Sequence, residues 1–341
     1  GAERFREPPA ERAANHVHLK RTVLRLREPK RVFRIAHAGR HPLYPEGGRM
    51  TRVEIVSDKR DELGECPLWD ERTQSLFWID GHARLVRRIT PASGEYREWL
   101  LPSAIGSIAL CESGRLLVAL ASEFSYLDLA TGTLQKIAGV THVEEKIRMN
   151  DGRTDRAGRF VAGSLVMGRN EKLGALYQVN AEGQVTMLDK GFAISNGTCF
   201  SPDGSWLYFT DSRTRKIMRY PYDKVTGKAG TPTVLIDTEP LASAGDGATV
   251  DSEGFIWTAL VEIGKMARFS PEGKLDRLID MPVRYVTCPC FGGPNLDILY
   301  VTSISNSGNA LKDDHPDAGA LFAVHGTGVR GLPEVRFADK T

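Results

Sequence analysis

The chain has 341 residues, 41% of them hydrophobic and 26% charged, with 34 glycines and a formal net charge of +2. That is ample apolar material for a folded core, and the glycine content suits a chain with many tight turns. The charge is unevenly placed: residues 1–49 hold ten Arg and two Lys against five Glu, a net of +7, which leaves −5 on the remainder. A nucleic-acid binder carries its basic patch on the folded body, so nucleic acid is not an expected partner. No apolar stretch approaches the ~20 residues of a membrane span, and no signal peptide with a continuous apolar centre is visible, so no membrane partner is expected either. The five cysteines, Cys66, Cys111, Cys199, Cys288 and Cys290, are odd in number in a long chain. They argue against a disulfide framework and for a reducing, cytoplasmic setting.

Residues 1–49 read as a basic, largely disordered extension, rich in Arg, Pro and Glu. Val17–Ala36 has some helical character, but seven basic residues interrupt its apolar positions. The rival reading, a targeting peptide, sits poorly with five Glu, because a mitochondrial presequence is poor in acids. Met50 is a candidate start, and Thr51–Val56 then alternates polar and apolar like a first strand.

From there a strand-like run recurs six times, beginning at Leu76, Leu116, Phe160, Leu207, Phe255 and Leu299, with spacings of 40, 44, 47, 48 and 44 residues. Most runs follow a turn ending in Gly, as in Ser201-Pro202-Asp203-Gly204 and Asp251-Ser252-Glu253-Gly254, and a second series of Gly turns lies after them. Two turns in each ~45-residue unit, with no convincing amphipathic helix, mean about four short antiparallel strands per unit. The expected fold is therefore all-β: a six-bladed β-propeller over residues 50–341. A β-sandwich with evenly spaced strands is the alternative.

The innermost strand of each blade should precede its recurring run by one hairpin. Counting back 9–11 residues lands near Glu65, Gly106, Arg148 to Asn150, Asn196, Asp246 and Cys288. Three of these neighbourhoods, Gly64-Glu65-Cys66-Pro67, Ser195-Asn196-Gly197 and Gly245-Asp246-Gly247, set an oxygen-bearing side chain beside glycine. Two carboxylates in a narrow channel would raise each other's pKa, and a divalent cation would relieve that. Two carboxylates and a carboxamide form an all-oxygen set suited to Ca²⁺, Mg²⁺ or Mn²⁺. Taken singly, each residue could instead be a turn residue bonding to its own backbone. Arg148 and Asn150 could donate hydrogen bonds to a polyhydroxylated ligand, or Arg148 could be a surface ion-pair partner and Asp151-Gly152 a plain turn. No zinc-type Cys set, Gly-x-Ser-x-Gly elbow or phosphate loop is present.

Over about residues 60–335 the chain resembles the SMP-30/gluconolactonase family, which includes regucalcin. The resemblance rests on Gly64-Glu65-Cys66-Pro67-Leu68-Trp69, Arg148-Met149-Asn150-Asp151-Gly152, Ser195-Asn196-Gly197, Ser201-Pro202-Asp203, Gly245-Asp246-Gly247 and Cys290-Phe291-Gly292-Gly293. It implies that Glu65, Asn196 and Asp246 bind one divalent metal ion, Ca²⁺ first, with Zn²⁺, Mn²⁺, Mg²⁺ and Fe²⁺ as alternatives. It implies substrate contacts from Arg148 and Asn150. The family places a substrate-holding carboxylate four residues before Gly-Ala-Leu-Tyr, where this chain has Asn170, with Glu171 beside it. The usual Pro before Asp-Gly is Gly245, and the basic extension has no family counterpart. The implied activity is hydrolysis of a sugar-acid lactone, an enzyme acting on carboxylic esters in carbohydrate metabolism. The cation would serve as Lewis acid, and Asp246 as general base or as ligand alone. Competing readings are a regucalcin-type calcium-binding propeller without turnover, a scaffolding propeller, and another metal-dependent propeller esterase. A small sugar lactone is the expected partner of a monomer or weak homo-oligomer.

Overall fold

Six small antiparallel sheets follow one another along the chain and close into a six-bladed β-propeller. The computed structural model describes residues 44–46, 49–168, 170–308 and 311–339. The expectations for residues 1–43 lie outside them. Among the described residues the only helical pieces are two short 3₁₀ turns, Ser212–Thr214 and Glu239–Leu241. No helix there is long and apolar enough to cross a membrane.

Blade one runs Gly64–Asp70, Ser75–Asp80, Leu85–Thr90 and Glu95–Leu100 from the axis outward. The inner strands of blades two to six are Ile105–Leu110, Ile147–Thr154, Ser195–Phe200, Gly245–Val250 and Val286–Gly292. The recurring apolar runs are the second strands, as in Ser75–Asp80 and Trp206–Asp211. Inner and second strands are both buried because neighbouring blades cover them; the second strands accordingly read as largely apolar runs, while the inner strands carry polar residues and glycines, as in Ser195–Phe200 and Gly245–Val250. Outer strands such as Val185–Phe192 meet water and are largely exposed. Trp78, Trp257, Phe124, Phe160 and Phe209 fill the gaps between blades, each with 0% exposure. The indole N–H groups of Trp78 and Trp257 donate to the buried carboxylates of Asp61 and Asp251, both at 2.9 Å, so neither aromatic buries an unpaired donor.

Blade six draws on both ends of the described chain. Its strands Val286–Gly292, Ile298–Ser303 and Phe322–His325 are completed by Arg49–Ile55, paired through Arg52↔His325 to Ile55↔Phe322. The strand expected at Thr51–Val56 is thus the outer strand of the last blade, and it begins on the boundary assigned to the extension. Tyr44–Glu46 pairs against it in turn.

All six inner strands break register with their neighbour near the same place. The breaks fall between Glu65 and Leu68, Ile105 and Ser107, Met149 and Gly152, Asn196 and Cys199, Gly245 and Ala248, and Val286 and Pro289. In each the inner strand carries one residue more than its partner, a β-bulge that bends the strand and re-aims its side chains. At the opposite end of the axis the C-terminal segment crosses the ends of the inner strands. Leu332, Pro333 and Glu334 cover a cavity of about 20 Å³, room for about one water. Glu334 approaches the buried Arg153 at 3.5 Å. Phe337, wholly buried, bridges to Cys111 of blade two.

Candidate functional site

Each blade runs down, up, down and up, so all inner strands begin at one end of the channel. Glu65, Arg148, Asn150, Asn196 and Asp246 occupy these starts in blades one, three, four and five. The bulges allow this. Gly197 has φ +60, and a Cβ there would stand 2.4 Å from Thr210 Oγ1. A Cβ on Gly247 would stand 2.4 Å from Cys288 Sγ, so the bulge after Asp246 can pack against blade six only as glycine. Gly64 and Gly247 are thus held to glycine by close approach of blade six, a Cβ on Gly64 standing 2.8 Å from the Ser303 carbonyl, whereas Gly245 has nothing nearer than 3.4 Å.

Convergence shapes the electrostatics. Burial pushes the Glu65 carboxyl well above its usual range, the charges of Asp246 and Asp151 push it further, and Arg148 opposes them. Asp246 is raised by burial and then by Asp151. Asp151 is raised by burial, against the stabilising Thr198 N–H at 2.8 Å and the Arg153 charge. Burial lowers the Arg148 guanidinium, with Glu65 acting the other way. Three carboxyls therefore share one end of the channel at an energetic disadvantage to their ionised forms.

A directed chain of hydrogen bonds links blades three, four and five. Arg148 Nη1 donates to Asn150 Oδ1 at 2.9 Å. Asn150 Nδ2 donates to the Ser195 carbonyl at 2.9 Å and to Asn196 Oδ1 at 2.8 Å. Asn196 Nδ2 donates to Ser212 Oγ at 2.9 Å, and Ser212 Oγ donates to the Gly245 carbonyl at 2.7 Å. Beyond it, Asp246 Oδ1 is buried and has no hydrogen-bond partner among the described residues.

That orphaned oxygen is the observation against which a metal is tested. Among the described residues no group of three or more His, Cys, Asp and Glu could hold a metal ion. Glu65 and Asp246 supply only two carboxylates, and the third expected donor, Asn196 Oδ1, is an amide oxygen. Hard oxygen donors, surplus negative charge and a buried carboxylate oxygen without a donor fit a divalent cation such as Ca²⁺.

Asn170 and Glu171 lie in the exposed loop between Phe160–Val166 and Gly174–Val179. The loop leaves blade three at the end where Arg148 and Asn150 begin, so it stands at the channel mouth. Asn170 Oδ1 accepts from Arg213 of blade four, and no hydrogen bond joins it to the axial residues. Two further residues belong to the site's frame. Asp151, which the sequence allows as a plain turn, is a buried bulge residue holding Thr198 N–H. Ser212, directly after the recurring run of blade four, carried no sequence signal at all. The five cysteines are free and buried.

Comparison with known proteins bears on the family and the fold. The family model described as SMP-30/Gluconolactonase/LRE-like region matches residues 63–305. The 6-deoxy-6-sulfogluconolactonase of Pseudomonas putida is 36% identical over 288 residues, covering 84% of this chain and 98% of that protein. Regucalcin of Gallus gallus is 33% identical over 296 residues, with coverage of 84% and 98%. The crystal structure of a calcium-binding protein, regucalcin, from Agrobacterium tumefaciens superposes with a TM-score of 0.78 at 30% identity, covering 85% of this chain and 97% of that one. The chain belongs to the SMP-30/gluconolactonase/LRE-like family.

Proposed function

We propose that this protein hydrolyses a sugar-acid lactone to the free aldonic acid, using one divalent cation, Ca²⁺ first, held by Glu65, Asn196 and Asp246. The observation that carries the reading is the buried Asp246 Oδ1, without a hydrogen-bond partner among the described residues and one residue beyond the Gly245 carbonyl on which the donor chain from Arg148 ends. The lactonase name of the Pseudomonas relative and the calcium-binding description of the Agrobacterium structure support the two halves of the proposal.

When bound, the cation supplies a Lewis acid for the lactone carbonyl. Arg148 and Asn150 orient the ring hydroxyls by donating hydrogen bonds, a positioning contribution. Asp246, through the carboxylate oxygen not turned to the cation, accepts a proton from the attacking water while the water oxygen bonds to the carbonyl carbon. The ring C–O bond then breaks, and the same proton passes to the departing alkoxide. In the metal-free protein burial raises the basicity of this carboxylate. The C-terminal segment covers the far end of the channel, so lactone and water enter beside the blade-three loop.

A second reading, calcium binding without turnover, draws on Arg148 and Asn150 being bonded to each other. A panel of aldonolactones separates the two. Acid release is followed after chelation and after re-addition of single metals. Release that stops on chelation and returns with metal supports hydrolysis. Metal binding with no acid from any lactone sinks it.

A further inference from the structure

We infer that Ser212 is a positioning residue that sets which end of the Asn196 side-chain amide faces the metal site. The inference rests on the proposed ligand role of Asn196. An Asn side chain has an oxygen that can ligate and an NH₂ that cannot, nearly identical in shape. Something in the fold must choose between them, and two groups of fixed polarity do so here. The Gly245 carbonyl can only accept. Ser212 Oγ, 2.7 Å from it, commits its single proton to that carbonyl. Ser212 then has only lone pairs to offer Asn196 at 2.9 Å, so the NH₂ end must face the serine. From the other side, Arg148 can only donate, which fixes the Asn150 oxygen toward it and the Asn150 NH₂ toward Asn196 at 2.8 Å. Both constraints leave Asn196 Oδ1 on the Asn150 side, with a second lone pair for a cation. Chains of this polarity reinforce one another in a buried setting. Ser212 also joins the two ligand-bearing bulges, because Gly245 immediately precedes Asp246.

The role differs from a structural staple in what it should change. Ser212 lies on a 3₁₀ turn at the channel end, half-buried, outside the hydrophobic core. Its turn is capped independently by Asp211, which accepts Arg213 N–H at 3.3 Å. Ser212→Ala should therefore leave the melting temperature of the metal-free protein within about 2 °C of wild type.

The test is Ca²⁺ titration by calorimetry on wild type, Ser212→Ala, Ser212→Thr, Asn196→Asp and the double variant Asn196→Asp/Ser212→Ala, with metal-free melting curves for each. Ser212→Ala should weaken Ca²⁺ binding about 10–100-fold, the usual cost of losing a group that orients a metal ligand. Ser212→Thr keeps donor and acceptor and should bind within about threefold of wild type. In Asn196→Asp the two oxygens are equivalent and nothing needs orienting. There the added Ser212→Ala change should cost less than about threefold. An equal penalty in both backgrounds would mean that Ser212 acts through the Gly245 backbone and not through the amide. Unchanged Ca²⁺ affinity in Ser212→Ala overturns the inference, as does a Ser212→Thr variant as weak as Ser212→Ala. Wild-type protein that binds no Ca²⁺, Mg²⁺ or Mn²⁺ at all defeats the metal reading itself, a result distinct from any of these.

Discussion

The side-chain amides of Asn150 and Asn196 meet across the boundary between blades three and four, Nδ2 to Oδ1 at 2.8 Å. One residue proposed for substrate thus touches one proposed for metal, and Arg148 stands one bond further back. Arg148→Ala should raise KM and lower kcat/KM for the lactone by at least ~10-fold, since a guanidinium donates to ligand oxygens but cannot coordinate a cation. Its Ca²⁺ affinity, read by calorimetry, should stay within about threefold of wild type, because the Ser195 carbonyl can only accept from Asn150 Nδ2 and still holds that amide's orientation when Arg148 is gone. A matching loss of metal affinity would place Arg148 in the ligand frame instead.

Asp246→Asn should remove turnover from a folded propeller. Asn nearly matches Asp in shape, so the melting temperature of the metal-free form should not fall. Metal should bind more weakly through loss of charge. Activity should stay ~10²–10⁴-fold down even at saturating metal, because the proton acceptor is gone. Glu65→Gln is the contrast, with excess metal restoring much of its activity if Glu65 serves only as a ligand. Recovery of Asp246→Asn to near wild-type rates would show that Asp246 is not the base.

The raised carboxyls give the metal-free protein a particular pH response. Asp61, buried beside Trp78 and Arg87, is pushed by burial from 3.8 to about 7, and Glu65 and Asp246 are raised as well. Each binds a proton more tightly folded than unfolded. Their contribution is complete below the unfolded value near 4 and is lost as pH rises through the folded value. Without metal the melting temperature should therefore fall between pH 5 and pH 8. Added Ca²⁺ should offset the fall, since it binds the ionised carboxylates. Ca²⁺ affinity should rise over the same interval, with protons released on binding. Calorimetry in buffers of different ionisation enthalpy measures that release. A stability that climbs with pH in chelated protein would contradict the assignment.

Phe337 anchors the C-terminal segment, with 0% exposure and its ring 6.2 Å from that of Tyr126. Phe337→Ala should cost about 3–5 kcal/mol, the usual range for a buried aromatic. Urea denaturation monitored by intrinsic fluorescence gives the number. A loss below about 1 kcal/mol would mean that the segment does not hold the bottom of the propeller closed.

The outer strand of blade six predicts a sharp contrast between two truncations. A chain beginning at Met50 keeps the pairing from Arg52↔His325 to Ile55↔Phe322 and should melt within a few degrees of the full chain, about 3 °C. A chain beginning at Lys59 loses that pairing and the packing of Val53 and Ile55 against the blade-six core. Its melting temperature should drop by roughly 10 °C or more. Equal melting temperatures for the two would show that the closure contributes nothing.

Much of this protein was already present in its sequence, and the division has a physical cause. The period of the recurring runs from Leu76 to Leu299, the Gly turns between them and the buried character of the second strands are local properties, written in neighbouring residues. They were enough to count blades and to find the inner strands at Glu65, Arg148, Asn196 and Asp246. The partner of the strand at Thr51–Val56 was not legible, because its ladder joins positions far apart in the chain. Nor were the bulges, which exist only in the register between two strands. Asp151 looked like a turn residue and Ser212 like nothing in particular. What they do depends on Thr198, Asn196 and Gly245 of adjoining blades. The sequence by itself determined which chemical groups reach the axis. Only the tertiary structure decided which way each amide points and which carboxylate oxygen is left without a donor, because hydrogen-bond polarity is settled among groups brought together by closing the ring.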